Sequence, residues 1–128
     1  MEKRKLGNTD MELSLIGYGG FHLVEVESKI AGDLLNRYLD NGGNYIETAP
    51  GYGDGISETK IGRAVSRRRD EYYLATKCEL RGKNEAAASI NTSLRRLNTD
   101  YVDILFVHAL QEERDLETLL SEDGAFEA

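Results

Sequence analysis

The chain has 128 residues, of which 40% are hydrophobic, which is enough for one compact core or for part of a larger one. Its 16 lysines and arginines and 23 aspartates and glutamates give a net charge of −7, which disfavours nucleic acids and anionic membrane surfaces as partners. No stretch approaches the roughly 18 apolar residues of a membrane span, and the start MEKRKLGNTD lacks the apolar core of a signal peptide.

Two local features narrow the class of protein further. The basic cluster Arg67–Arg69 is followed at once by Asp70 and Glu71, and we interpret it as a solvated helix end rather than a phosphate-binding patch. Cys78 is the only cysteine, so the chain has no intrachain disulfide and no expected zinc or other metal site. A reducing cytoplasm is therefore the predicted compartment.

The predicted elements begin with a β-hairpin. Two short strands, around Lys3–Leu6 and Glu12–Leu15, flank the turn-forming run Gly7–Asp10. A brief apolar strand follows and ends in glycines at Gly17–Gly20. The next segment is a predicted helix, with Ser28 as its cap. Its apolar residues recur every four positions: Ile30, Leu34 and Tyr38, and Ala31, Leu35 and Leu39.

The strand-and-helix pattern then recurs. A strand at Tyr45–Ile46 leads into the loop Gly51–Gly55 and a helix opened by Ser57. A third strand, Tyr72–Thr76, precedes a helix from about Asn84. A last strand and helix complete the pattern. The strand is Val102–Val107, whose apolar run is typical of a strand buried on both faces, and the helix is expected to begin with Leu116, Leu119 and Leu120.

Strands that alternate with helices predict an α/β fold with a parallel sheet. A closed (β/α)8 TIM barrel has eight strands and about 250 residues. Residues 1–128 are therefore expected to form about four β/α units, the N-terminal half of such a barrel preceded by a hairpin, with the C-terminal half absent. The pattern alone leaves a doubly wound open sheet as an alternative.

Candidate site residues lie at the carboxyl ends of the predicted strands, where parallel α/β folds bind ligands. Glu47 ends the second strand and Tyr52 lies in its loop, while Lys77 and His108 end the next two strands. A phenol ordinarily has a pKa of about 10, and a nearby lysine cation stabilises the tyrosinate. Tyr52 would thus serve as a general acid, with Lys77 held by Glu47 and with His108 orienting a carbonyl.

Four motifs in the same order resemble the aldo-keto reductase family. They are Ile46–Gly53 (IETAPGYG), Glu58–Gly62 (ETKIG), Ala75–Lys77 (ATK) and Asp103–His108 (DILFVH). The opening Arg4–Thr9 and the run Leu15–Gly19 are similar to the hairpin and first strand of the family. The resemblance implies a TIM barrel, NADPH as the usual hydride donor and a tetrad of aspartate, tyrosine, lysine and histidine. Tyr52, Lys77 and His108 match that tetrad.

The resemblance has two departures. The aspartate of the family is Glu47 here, one methylene longer, so its carboxylate would have to retract or shift to reach Lys77 and the nicotinamide ribose. Most of the residues that hold the cofactor in this family lie on later strands, so the cofactor clamp is expected to be largely missing from this chain. The choice between NADPH and NADH rests on those later residues, and NADH is not excluded.

The glycine run Gly17–Gly20 is not a dinucleotide fingerprint, because GxGxxG fails at His22. Gly19 and Gly20 either permit close approach of the cofactor, as the resemblance implies, or serve turn geometry alone. His22 is expected on the surface. Cys78 follows Lys77 directly, and strand alternation favours a packed thiol for it.

The principal functional hypothesis is NAD(P)H-dependent reduction of a small-molecule aldehyde or ketone by the complete protein. Two alternatives stay open: a cofactor-binding regulatory or redox-sensing barrel without significant turnover, and an inactive truncated half-barrel. A half-barrel has two open sheet edges, so self-association or pairing with a second chain is a further hypothesis. A fragment of a longer protein is the simpler interpretation.

Overall fold

The computed structural model describes all 128 residues and opens with the predicted hairpin. Strands β1 (Lys3–Lys5) and β2 (Glu12–Ser14) pair antiparallel, and each is one residue shorter than predicted. The side chain of Asn44 anchors the hairpin to the rest of the fold. Its Oδ1 accepts a hydrogen bond from Ser14 N at 2.7 Å, and its Nδ2 donates to Glu12 O at 2.9 Å.

A four-stranded parallel sheet forms the centre of the molecule. Its strands are β3 (Tyr18–Gly19), β4 (Tyr45–Glu47), β5 (Tyr73–Cys78) and β6 (Ile104–Val107). They lie side by side in chain order. A doubly wound sheet reverses its strand order at a switch point, whereas a (β/α) barrel does not. The fold is therefore a partial (β/α) barrel, as the sequence predicts.

The helices are α1 (Ser28–Asp40), α2 (Ile56–Val65), α3 (Lys83–Leu97) and α4 (Glu113–Leu119). Three short 3₁₀ turns, Phe21–Glu25, Ser66–Glu71 and Ala125–Glu127, complete the chain. The core includes fully or almost fully buried aliphatic side chains from α1, β4, α2, β5 and α3: Leu35, Ile46, Ile61, Leu74 and Leu97. Burial of such side chains is the main favourable term in folding. None of the helices is both long and apolar enough to cross a membrane.

Helix α1 corrects two details of the sequence prediction. Ser28 is the first helical residue rather than the cap; the capping position is Glu27, and no side chain caps the helix. Only the row Ala31, Leu35 and Leu39 is buried, whereas Ile30 and Leu34 are exposed. A helix that packs on one side buries one stripe, and the second apolar row falls beside that stripe.

Strand β6 departs most from prediction. It begins at Ile104 rather than Val102 and forms the edge of the sheet. Leu105 and Phe106 are 44% and 42% exposed, so the expectation of burial on both faces was wrong for this chain. The composition is that of an interior strand, but no element of the chain pairs with its outer edge.

The basic cluster is also less solvated than expected. Arg68 pairs with Asp40 at 2.8 Å and with Glu71 at 2.6 Å. Arg69 pairs with Asp103 at 2.5 Å and is largely buried. These guanidinium groups tie the turn after α2 to α1 and to the start of β6, so the interpretation as a solvated helix end was wrong for both.

Candidate active site

The alternation of side chains along two strands places the first two candidate residues. Leu74 of β5 and Ile46 of β4 belong to the helix-facing core. Because successive side chains of a strand point to opposite faces, Lys77 and Glu47 lie on the other, concave face. Both are at the carboxyl ends of their strands, although β5 runs to Cys78, two residues beyond the predicted strand Tyr72–Thr76.

The ammonium group of Lys77 is the centre of the site. Nζ forms an ion pair with Glu47 Oε1 and donates hydrogen bonds to Tyr52 OH at 2.8 Å and to the carbonyl of Thr48 at 3.0 Å. An ammonium group has three donors, and all three have partners here. The longer carboxylate of Glu47 therefore does reach Lys77, which answers the geometric question raised by the sequence.

Burial and charge act on Lys77 in opposite directions. Its side chain is only 14% exposed, and burial lowers the pKa of the ammonium below its usual 10.5. The carboxylate of Glu47 favours the charged form and so opposes that shift. Lys77 is therefore a cation held close to a phenol, and its pKa lies closer to neutral pH than that of a surface lysine.

Tyr52 lies in the loop between β4 and α2, where the predicted glycines shape the backbone. Gly53 and Gly55 adopt φ values of +63° and +85°, in the left-handed region that glycine tolerates. Two rings meet that of Tyr52 edge-on: Phe21, with centroids 5.1 Å apart, and His108, with centroids 6.3 Å apart. The hydroxyl also lies 3.4 Å from Glu47 Oε1.

His108 follows β6 directly, as predicted, and its backbone continues the β5–β6 ladder through a hydrogen bond to Cys78 O at 2.8 Å. Its Nδ1 lies 2.9 Å from Glu79 Oε1. The structure thus brings Glu47, Tyr52, Lys77 and His108 together on one rim. Such a set can hold a carbonyl oxygen and deliver a proton to it.

The two glycines proposed for cofactor binding differ. Gly19 pairs with Glu47 in the sheet and is exposed, and a Cβ built on it would meet nothing within 4 Å. Gly20 is buried, and a Cβ there would lie 2.7 Å from Ser57 Oγ and 2.9 Å from Glu47 O. Internal packing therefore accounts for Gly20, whereas Gly19 leaves open space beside the carboxylate.

Sequence reasoning missed three contributors to the site. Glu79 comes two residues after Lys77 and contacts His108, Phe21 packs on Tyr52, and Thr48 contributes its carbonyl. Only Glu79 carried a usable signal, since it follows the end of a strand in the region where sites form. The expectations for the two non-site residues are confirmed: His22 is exposed and the thiol of Cys78 is buried.

Comparison with known proteins agrees with the fold. The model of the aldo/keto reductase family matches residues 15–123, which is most of the chain. The chain therefore belongs to the aldo-keto reductase family.

Individual relatives are longer than this chain. It is 34% identical over 120 residues to an uncharacterized oxidoreductase of Bacillus subtilis, covering 84% of this chain and 39% of that protein. It is 34% identical over 135 residues to L-galactose dehydrogenase of Arabidopsis thaliana, covering 95% and 42%. A solved aldo-keto reductase from Klebsiella pneumoniae in complex with NADPH superposes with a TM-score of 0.75 at 28% identity, covering 84% and 40%. The chain thus spans about two fifths of the length of these relatives.

Proposed function

We propose that the whole protein reduces an aldehyde or ketone to an alcohol, using NADPH as hydride donor and Tyr52 as proton donor. The observation that carries this proposal is the bonding of one ammonium, Lys77, to both Glu47 and the hydroxyl of Tyr52. Family membership supports the reaction class. The same family supports a small-molecule carbonyl as substrate.

The rim residues suit the nicotinamide end of such a cofactor. Glu47 presents a partly exposed carboxylate that can accept a hydrogen bond from a ribose hydroxyl, and the space beside Gly19 is open. When bound, NADPH would supply the hydride for the carbonyl carbon. We propose NADPH rather than NADH because a relative was solved with NADPH, and parallel titrations with both cofactors would decide between them.

Each rim residue then has a defined task. Lys77 donates to the oxygen of Tyr52 and would stabilise the tyrosinate that remains once the phenolic proton, which is directed at Glu47 Oε1 at 3.4 Å in the absence of substrate, moves to a substrate oxygen. Glu47 and the carbonyl of Thr48 hold the ammonium in place. His108 lies beside the ring of Tyr52 and would orient the substrate oxygen.

The test compares Tyr52→Phe with the parent in the whole protein. We expect kcat for carbonyl reduction to fall by about 10²-fold to 10⁴-fold, because the proton donor is lost, while NADPH binding is kept. Loss of nicotinamide absorbance measures turnover, and quenching or enhancement of nicotinamide fluorescence measures binding. A Tyr52→Phe variant as active as the parent would refute the role of the phenol.

Tyr73→Phe is the matched control for this experiment. The side chain of Tyr73 lies on the same face of β5 as that of Lys77 but at the opposite end of the strand. The Tyr73→Phe variant should therefore retain the activity of the parent. Tight binding of NADPH without oxidation across a broad panel of aldehydes and ketones would instead favour a regulatory cofactor-binding barrel.

Cytoplasmic location and self-association through the open sheet edges are further proposals, which rest on the lone cysteine Cys78 and on the edge strands β3 and β6.

A further inference from the structure

Glu79 and His108 form a side-chain pair on the rim of the site. Glu79 Oε1 lies 2.9 Å from His108 Nδ1. An ionised carboxylate accepts hydrogen bonds and cannot donate one, so this contact requires a proton on Nδ1. Nε2, the other ring nitrogen, is then the atom left to meet a substrate.

Hydrogen bonds hold the backbone of His108, and the half-exposed carboxylate of Glu79 lies against the loop that carries Tyr52. The backbone of His108 is held by Cys78 O on one side, and the guanidinium of Arg81 donates to His108 O at 2.9 Å. The carboxylate of Glu79 lies over Gly51, where an added Cβ would be 2.4 Å from Oε1. The loop that carries Tyr52 therefore leaves room for Glu79 because residue 51 is a glycine.

We propose that Glu79 is a positioning residue that holds His108 as the Nδ1–H tautomer. In that form a neutral ring offers Nε2 only as an acceptor, and Nε2 becomes a donor only when the ring is an imidazolium. A carbonyl oxygen accepts hydrogen bonds and so needs the imidazolium, whereas the hydroxyl of an alcohol can donate to the neutral ring. This inference rests on the proposed function of His108.

Substrate preference would then depend on the protonation of one ring. At low pH the rim binds a carbonyl oxygen through His108, and at higher pH it favours a hydroxyl group. The other charged groups in this region are paired with partners other than the His108 ring. Lys77 forms an ion pair with Glu47, and Arg81 is bonded to Asp115 of α4 at 3.4 Å. Glu79 is thus the carboxylate in direct contact with the imidazole.

The first experiment measures the tautomer directly, without cofactor or turnover. The chain has only two histidines, so ¹⁵N resonances of labelled histidine can be assigned with a His22→Gln variant. At a pH where the rings are neutral, we expect the Nδ1–H form at His108 in the parent and a shift to the Nε2–H form in Glu79→Ala. The exposed pair His22 and Glu25, 3.4 Å apart, supplies the control Glu25→Ala, which should leave His108 unchanged.

Each outcome of this measurement is decisive. A dominant Nε2–H form in the parent overturns the proposal, and so does an unchanged Nδ1–H form in Glu79→Ala. Glu79→Gln keeps the size of the side chain, and its amide can pair with either tautomer, so a mixture is expected there. The parent spectrum alone can contradict the proposal, so the test stands even if a Glu79 variant folds poorly.

The second experiment follows kcat/KM for carbonyl reduction from about pH 5 to about pH 8, the range over which a histidine ordinarily loses its charge. The parent should lose up to about tenfold per pH unit once the ring is neutral. Glu79→Ala should lose less over the same range, because its neutral ring can present Nε2–H to the carbonyl. Parallel profiles for the two proteins would contradict the proposal. If the proposed reductase function is wrong, turnover would be absent, whereas the NMR spectra would still show the Nδ1–H form of His108 in the parent and its shift in Glu79→Ala.

Discussion

At the scale of single residues, the site depends on a lysine that is both buried and paired. Desolvation lowers the pKa of Lys77, and the carboxylate of Glu47 limits that decrease. The glutamate replaces the aspartate of the family pattern and still contacts the ammonium. An additional methylene is therefore accommodated at this position without loss of the contact.

The balance between burial and charge predicts the effect of Glu47→Gln. The pKa of Lys77 should fall further, because the ammonium stays buried and loses its anionic partner. NMR titration of the lysine Cε resonances measures it. Asp33→Asn is the matched control: it removes the partner of the exposed Lys29, 2.8 Å away, and should leave Lys77 unaffected. An unchanged or higher pKa of Lys77 in Glu47→Gln would show that the carboxylate does not stabilise the charge.

At the scale of elements, helix α2 follows the loop of Tyr52 and has the most extensively buried face of the helices. Polar and small residues contribute to that face, including Ser57, Glu58 and Gly62. The carboxylate of Glu58 is fully buried and accepts a hydrogen bond from Thr76 Oγ1 of β5 at 2.8 Å. Arg96 of α3 lies 3.4 Å from its other oxygen. The apolar pattern that predicts the helix therefore describes only part of its packed surface.

Two helical glycines are predicted to differ in their response to an added methyl group: Gly62, at the crossing of α2 and α3, and Gly32 of α1, which faces α2. A Cβ on Gly62 would lie 2.3 Å from the carbonyl oxygen of Arg96, which is backbone and cannot turn away. We expect Gly62→Ala to lower the free energy of unfolding by about 1–3 kcal/mol. A Cβ on Gly32 would lie 3.8 Å from Ala64 Cβ, an ordinary contact, so Gly32→Ala should be neutral or stabilise by about 1 kcal/mol.

Urea unfolding of both glycine variants measures these effects. Two variants of equal stability would mean that α2 and α3 separate at little cost. The structural argument for a tight crossing would then fail.

At the scale of the whole molecule, one side of the sheet is well packed and the edge at β6 is open. Leu105 and Phe106 of β6 are exposed at this edge, and Leu116 and Leu120 are also exposed. The relatives that share the fold are more than twice as long as the part this chain covers. Sheet edges and apolar side chains of this kind are ordinarily covered in a closed barrel.

Tyr72 gives the whole fold a defined response to alkaline pH. Burial raises the pKa of Tyr72 to about 12, with Arg69 acting in the opposite direction. An unfolded tyrosine titrates near about 10, so the native state retains a proton that the unfolded state loses. The contribution is fully present below about pH 10 and is lost between about pH 10 and about pH 12, by up to about 3 kcal/mol.

We expect Tyr72→Phe to show a shallower loss of unfolding free energy with rising pH than the parent. Lys77 acts with the opposite sign, since its lowered pKa adds stability as pH rises toward 10.5, and it is common to both proteins. Urea unfolding at a series of pH values measures the difference. Equal slopes for Tyr72→Phe and the parent would contradict the assignment.

The sequence was sufficient for the order of the elements, the parallel sheet and the four residues of the rim. Helices and strands follow from periodicity within about ten neighbouring residues. Glu47, Lys77 and His108 could be placed because strand ends of a parallel sheet share one edge. Tyr52 could be placed in the loop after the second strand, and the resemblance to known reductases strengthened its assignment, since a tyrosine in a glycine-rich loop has no periodic signal of its own.

Only the tertiary structure decided which groups meet and which remain exposed. Lys77 contacts Glu47 from 30 positions away, and Glu79 contacts His108 from 29 positions away. The burial of Glu58 and the exposure of Leu105 likewise depend on which element lies against them. Local sequence sets the backbone conformation through sterics and periodic burial, whereas the partners of polar groups and the cover over a strand come from residues that chain folding brings into contact.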